Sequence, residues 1–545
     1  MNQHSSLAPG APPTAASPDN LDRLTFLGWP WGLAAIIIGL AVSFFLFGYA
    51  VVYWRNADMD FMVIHSALAL NDGKPQYFFD HTAYLTILST RLWFALLHAL
   101  GLLDAWSLSA IPPATDPSAF EAAMTHAVRA GRLLAFLIAA GCVLIFAALV
   151  RAVVRDWRVA MLATLAFALS GGIAVHSRIL RSELVAACPV IFALLILIAA
   201  GRKAGLLRPL ALALAAALCM MGLENKVQAI LLIGALPILV LPFGSPAGVS
   251  IAFWRDTPLA WLATIVAAVA AGAALWAAWP LIATGFDPAL LDAAPFRPAV
   301  MGRYGVYQMA LALLIGGCMI LYAAIWKVAV SETLASMLAM VAAAAITLLL
   351  LQLNYDPRNV IAAINPLEKM LVFADAGAST ATREAGLSGI VLLLLQGIGS
   401  VLARYTFVLH SSPRPTVFLV WLIIPGIIVA WRRGERLVAL QASLLLLAAI
   451  GIDALGVRRG LKVEYFIFTD PLIVLSGAIL LDTLRDLRFH RWTYAIGMAL
   501  FVLHLGVGQA EPIKYAFKRT GPASICEWNT YYVPLLALPW CPPRP

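Results

Sequence analysis

Charge is what this 545-residue sequence has least of. Asp, Glu, Lys and Arg together make up 12% of it, against 62% hydrophobic residues, where an average soluble domain carries roughly 25% charged residues. A water-soluble globule of this size is excluded, and so is a disordered chain, which needs the opposite balance. A Gly-rich phosphate loop is also missing, since Gly171-Gly172 and Gly316-Gly317 stand inside apolar runs, where glycine serves helix packing or a kink. The six cysteines form no metal motif, and Cys142, Cys188, Cys219 and Cys318 lie singly in apolar runs as small hydrophobes. The first 28 residues, rich in Ala, Pro and Ser, lack an apolar core followed by a small-residue cleavage site and read as a disordered cytoplasmic tail. No inverted repeat of the transporter kind is visible, because the acidic segment after the first apolar run has no second copy.

What is there is a series of apolar runs separated by short charged clusters, with a mean hydropathy of +0.88. The fold class this predicts is an all-α polytopic membrane protein. About thirteen transmembrane helices are expected, near 31–53, 132–150, 159–176, 182–201, 207–223, 227–245, 258–281, 305–326, 333–352, 415–431, 437–454, 465–482 and 492–509. The formal charge of +9 belongs to the loops, where cations fix topology and meet anionic lipid, so no nucleic acid is implied. With the N-terminus cytoplasmic, the short inner loops hold fourteen cations: Arg151, Arg155, Arg158, Arg202, Lys203, Arg208, Arg255, Lys327, Arg432, Arg433, Arg436, Arg485, Arg488 and Arg491. The short outer loops hold six, Arg178, Arg181, Lys226, Arg458, Arg459 and Lys462, which is the bias the positive-inside rule requires.

This topology divides the chain into a tail (1–28), a transmembrane core (29–352), an extracytoplasmic loop (353–414), C-terminal transmembrane helices (415–509) and an extracytoplasmic tail (510–545). The core includes a large first outer loop, 54–131, bearing amphipathic helices. Residues 387–403 are apolar enough to span, but a span there would invert every later loop, so an interfacial or re-entrant helix is predicted. In the tail, Cys526 and Cys541 are able to pair if that side is oxidising. The expected location is the inner (plasma) membrane of a bacterial-type cell.

The first outer loop concentrates the polar chemistry. Asp58-Met59-Asp60 follows the first helix at the membrane surface. Two carboxylates at that spacing can share a divalent cation, can divide into a general base and a substrate-orienting group, or can simply begin a solvated loop. An amphipathic helix is predicted from Asp58 to Leu70, then a turn at Asn71-Asp72-Gly73-Lys74-Pro75, then the strip Tyr77-Phe78-Phe79-Asp80-His81-Thr82-Ala83-Tyr84. His81 beside Asp80 is a candidate for a metal or a sugar hydroxyl, while a lone His more often makes a structural hydrogen bond. Tyr77 and Tyr84 suit a sugar ring, an isoprenoid chain or simple interfacial anchoring.

The layout resembles that of the C-type (GT-C) membrane glycosyltransferases, nearest in pattern to the protein O-mannosyltransferases and the lipid A aminoarabinose transferase. It consists of a span, an acid, Gly73 fifteen residues after Asp58, and an aromatic-acidic strip. Further along, Gly131-Arg132 opening the second span, His176-Ser177-Arg178-Ile179-Leu180-Arg181-Ser182-Glu183, Gly222-Leu223-Glu224-Asn225-Lys226, and Glu464-Tyr465-Phe466 with Pro471 are similar to elements of that family. The likeness covers roughly the first 230 residues; beyond them it lies in helix count and loop placement. Met59 departs from the family's Asp-Glu pair, so either Asp58 or Asp60 stands as the base.

The resemblance implies an inverting transfer of a sugar from a polyprenyl-phosphate donor to a hydroxyl of a lipid, glycan or protein acceptor on the extracytoplasmic face. It implies Asp58 or Asp60 as catalytic and Lys226 and Arg181 at the leaving phosphate. The other candidate substrate-binding residues are Lys74, Tyr77, Asp80, His81, Tyr84, Arg178, Glu183, Glu224, Arg458 and Arg459. A divalent cation is permitted and not demanded, and membrane lipids are the surrounding partners. The rival readings are a lipid-linked sugar flippase or transporter, and an assembly factor. A transporter would place charges or broken helices at the bilayer midplane, where only Asp453 and Asp470 approach, near helix ends.

Overall fold

The computed structural model describes residues 18–56, 60–75, 83–201, 203, 205–244, 254, 257–284, 304–352, 386–406, 414–456, 462–488, 490–517, 526 and 532–542. Among these the regular structure is helical throughout. Seventeen α-helices matter here: α1 Pro18–Phe44, α2 Met62–Asn71, α3 Tyr84–Ala99, α4 Pro117–Val153, α5 Trp157–Ala168, α6 Gly171–His176, α7 Ser182–Gly201, α8 Leu207–Asn225, α9 Ala229–Val240, α10 Pro258–Thr284, α11 Tyr304–Ile325, α12 Val330–Gln352, α13 Gly386–Thr406, α14 Val417–Arg432, α15 Arg436–Gly456, α16 Asp470–Leu484 and α17 Arg491–Ala516. Eight of the described helices are long and apolar enough to cross a membrane. Shorter apolar helices, among them α5, α9 and α14, accompany them.

Each apolar run expected to span contains or overlaps a helix, with informative differences. α1 begins at Pro18, inside the segment expected to be a disordered tail; proline is well suited to a first helical position, where its missing N–H has no partner to lose. The run at 159–176 is broken at Leu169-Ser170 into α5 and α6, and the Ser170 hydroxyl accepts from the Ile173 N–H to cap the second piece. The expected interfacial segment is helical as α13.

α4 is 37 residues long, about 55 Å at 1.5 Å per residue, well beyond the roughly 30 Å of a bilayer core. Its C-terminal half packs in the bundle. Its N-terminal half, capped by Asp116 accepting from the Ala119 N–H with Pro117 at the first position, rises out of the bundle as the spine of a lobe. α2, α3 and the C-terminal residues 532–542 pack on that spine around a core of Phe61, Ile64, Phe94, Phe120, Leu536 and Leu538.

One expectation about this lobe is corrected. α2 is not amphipathic, because every residue from Met62 to Ala69 is buried; cover from the lobe's other elements leaves it no solvent face. The C-terminal tail is part of the lobe's core, where Trp540 packs against Tyr53 and Phe120. A disulfide joins Cys526 to Cys541.

The second and larger core lies within the bundle, where α1, α4, α5, α7, α9, α14, α15 and α16 meet. Gly172 explains one close approach: a Cβ there would sit 2.9 Å from the backbone of Ile467, so a larger residue would push α6 off the short 3₁₀ segment Val463–Phe468. The chain is thus a helical membrane bundle with a lobe at one end, called below the lobe end.

Candidate functional site

The site is built where the lobe meets the bundle, from the middle of α4 and the ends of α6, α7 and α8. Asp60 is fully buried, its Oδ2 2.8 Å from Arg132 Nε on α4, and its Oδ1 accepts from the backbone N–H of Leu180 at 2.5 Å. Arg132, also buried, donates to the carbonyls of Gly48, Val51 and Val52 that end the first helix. One carboxylate and one guanidinium therefore tie together the first helix end, the start of the lobe, α4 and the α6–α7 connection.

That connection carries the charge. Glu183, in the first turn of α7, is fully buried and is approached by two cations and an imidazole. Lys226 Nζ lies 2.8 Å from Oε1, Arg181 donates to both oxygens at 3.2 and 3.3 Å, and His176 Nε2 stands 3.7 Å from Oε2. The His176 ring is oriented by its Nδ1 donating to the Gly172 carbonyl at 2.6 Å. Arg181 also reaches Glu464 at 3.7 Å, at the start of the 3₁₀ segment. Lys226 itself is only 1% exposed, and a lysine so placed persists only when its charge is compensated.

Arg178 differs. It donates to neutral groups, the carbonyl of Ala174 at 3.0 Å, the Ser43 hydroxyl, and Gln509 Oε1 at 2.9 Å. No carboxylate among the described residues pairs with it. Burial lowers its pKa to about 10, so it stays a cation at neutral pH. Gly48 makes room for it, as a Cβ there would lie 2.8 Å from the Arg178 Cβ. Arg178, Arg181 and Lys226 thus stand together at this junction among Glu183, Glu464 and Glu224, a concentration of cationic side chains suited to contact with an anion.

The C-terminal end of α8 locks the lobe onto this cluster. Asn225 accepts from both the backbone N–H and the hydroxyl of Thr86 on α3, at 3.0 and 3.1 Å, and donates to the Ser182 carbonyl at 2.5 Å. Its own carbonyl accepts from the Ala83 N–H at 2.9 Å. Tyr84, buried at the start of α3, is placed by the same lock. Glu224 beside it is fully buried, accepts from Gln352 at 3.4 Å, and has a second oxygen without a hydrogen-bond partner. Lys74 stands apart, half-exposed and 3.5 Å from Asp72.

Of the sequence-predicted residues, the structure gathers Asp60, Arg178, Arg181, Glu183, Glu224 and Lys226, with Tyr84 alongside. Asp58, Tyr77, Asp80, His81, Arg458 and Arg459 lie outside the described residues. Among those described, no group of three His, Cys, Asp or Glu side chains is arranged to hold a metal ion.

Sequence reasoning passed over Asn225, whose amide joins three elements, and a second buried cluster at the same end. There Arg414 pairs with Asp453 and, at 3.0 Å, with Asp470, while Thr469 and Thr416 hydrogen-bond these carboxylates and the guanidinium lies 4.4 Å from the Phe466 ring centre. The signal was present as Asp453 and Asp470 near the ends of apolar runs. The 3₁₀ segment links the two clusters, with Glu464 near Arg181 at its start and Thr469-Asp470 on Arg414 just past its end.

Apolar helices, a buried ionic floor at one end and a lobe above it define an all-helical integral membrane protein. Compared with protein-family models, curated proteins and solved structures, the chain matches none.

Proposed function

We propose that this protein is a glycosyltransferase of the C-type membrane class, which moves a sugar from a polyprenyl-phosphate carrier to an acceptor hydroxyl at the lobe end of the bundle. On this reading the thirteen apolar runs all cross the inner membrane, the N-terminus is cytoplasmic, and the lobe is extracytoplasmic. The observation that carries it is the cluster of Arg178, Arg181 and Lys226 where the lobe meets the bundle, because a lipid-linked phosphate carries negative charge.

On this reading the two acids of the Asp58-Met59-Asp60 segment take different roles. Asp60 has its oxygens committed to Arg132 and Leu180, which suits a positioning residue. Asp58 is then the base. In the reaction the acceptor oxygen attacks the anomeric carbon as Asp58 takes its proton, the C–O bond to phosphate breaks, and the polyprenyl phosphate leaves with the electron pair. Arg181 and Lys226 stabilise the charge that develops on it, a preorganised electrostatic role. Glu183 holds both cations in place. Glu224, with one oxygen lacking a hydrogen-bond partner, is suited to a donor or acceptor hydroxyl, and Tyr77, Asp80, His81, Tyr84, Arg458 and Arg459 complete the candidate substrate contacts.

The test is transfer by purified protein in lipid, from radiolabelled polyprenyl-phosphate sugars to a membrane extract, with wild type, Asp58→Asn and Asp60→Asn compared. Loss of product in a folded Asp58→Asn protein that still binds donor supports the reading. Donor binding without product from any sugar or extract, unchanged in both variants, refutes it and favours a flippase.

A further inference from the structure

A second feature lies at the opposite end of the bundle. Between α7, α8, α9, α11 and α12 runs a cavity of about 330 Å³, within the range of ligand pockets. It starts at the ends of these helices beside Gly201, Arg208 and Tyr322, and continues to Met220 and Ala344. From Arg208 to Met220 along α8 is about 18 Å at 1.5 Å per residue, close to half a bilayer core. Its walls are almost wholly aliphatic. The exception is its mouth, where Arg208 and Glu332, both buried, form an ion pair at 3.1 Å.

Arg208 is not used up by that pair. One terminal nitrogen donates to Glu332 and the other to the Gly201 carbonyl at 3.3 Å, while its Nε–H is buried without an acceptor. An unsatisfied buried donor is unfavourable, and it belongs to a residue that lines the cavity. Among the described residues α11 forms one wall of this space, contributing Cys318, Met319 and Tyr322 to the cavity while its Leu313 and Ile320 are exposed.

We propose that this cavity is a phospholipid site. It takes one acyl chain of a lipid from the leaflet at the end opposite the lobe, and an ester or phosphate oxygen of that lipid accepts from Arg208 Nε. The length matches a chain confined to one leaflet, the walls are mostly aliphatic, and Arg208, whose Nε–H lacks an acceptor, lines the end where a lipid's polar group begins. The Arg208–Glu332 pair is neutral overall, so recognition is of an oxygen acceptor and not of net charge.

The test is photolabelling of the full-length protein in nanodiscs containing a phosphatidylglycerol with a photoreactive acyl chain, followed by peptide mapping. Labels are expected on 212–220 and 336–344. Ala216→Trp, which fills the cavity, is expected to remove them, and Arg208→Gln combined with Glu332→Gln is expected to weaken labelling about tenfold, the loss of one hydrogen bond from a charged donor. Thermal unfolding checks that the filled protein folds; if it does not, Ala344→Phe fills the space from the facing wall. Labelling confined to outward residues such as Leu313 and Ile320, or unchanged in a folded filled variant, overturns the proposal. So does displacement of the label by polyprenyl phosphate at concentrations where unlabelled phosphatidylglycerol has no effect.

Discussion

Replacing Asp60 with Asn separates a structural acid from a chemical one. The substitution keeps the shape and leaves an amide oxygen for the Leu180 N–H, so the backbone bond at 2.5 Å has an acceptor still. What disappears is the negative charge 2.8 Å from Arg132 Nε, at a site where neither side chain is more than 1% exposed. Breaking a buried pair by removing one partner costs about 3–5 kcal/mol. Arg132 retains three carbonyl acceptors, Gly48, Val51 and Val52, which places this variant near the lower figure.

Hydrogen exchange by mass spectrometry in nanodiscs reads this locally. At about 1.4 kcal/mol per decade, amide protection across 177–181 and across 48–56 falls by about two decades in Asp60→Asn. Protection within α15, far from the pair, stays unchanged. Asp60→Asn with Arg132→Gln restores part of the loss, because the buried charge is gone, and the coupling between the two sites is about 1–3 kcal/mol. Asp58→Asn leaves the pair, and hence the protection, intact. Unaltered exchange across 177–181 in Asp60→Asn, or strict additivity in the double variant, refutes the assignment of Asp60 as the tie between lobe and bundle.

Three further outcomes follow from the same geometry. Lys226→Met leaves Glu183 buried with Arg181 and His176 only, and a cycle with Glu183→Gln, followed by thermal unfolding in detergent, is expected to return a coupling of about 1–3 kcal/mol. Burial raises the pKa of Asp72, but hydrogen bonds from the Ser109 and Ser107 side chains and the Ser109 backbone, with Lys74 beside it, more than compensate and hold the carboxyl below the usual range. Its folded pKa being depressed, its contribution is present above the unfolded value of about 3.9 and is lost as pH falls through the lower folded value; Asp72→Asn removes that acid dependence from the lobe's proteolysis rate. Replacing Cys526 and Cys541 with Ser opens a link with a sequence separation of 15. The chain-entropy model assigns about 3 kcal/mol to a loop of that length, readable as faster cleavage near Trp540 while the bundle helices remain protected.

How much of this was legible in the sequence depended on whether a property is local. Helices could be placed because apolar runs report themselves, and the faces of the bundle could be assigned because charges cluster where helices end. The gathering of Arg178, Arg181, Glu183 and Lys226 followed from the same logic, since all four flank helix ends on one side. What escaped were relations between distant residues. Asp-Met-Asp spacing cannot tell a free carboxylate from one clamped by Arg132, 72 residues on, and nothing near Asn225 announces that it will hold Thr86 and Ser182 together. Hydropathy marked α2 as a half-buried helix because its cover comes partly from residues 532–542, at the far end of the chain. Arg208 read as one more inner-loop cation, and nothing local points to Glu332, 124 residues on, as its partner. In a chain with so few charges, that is the informative pattern: five carboxylates at the edges of apolar runs, Asp60, Glu183, Glu332, Asp453 and Asp470, have been carried inside and given a cation, and the cation is found by topology and not by spacing.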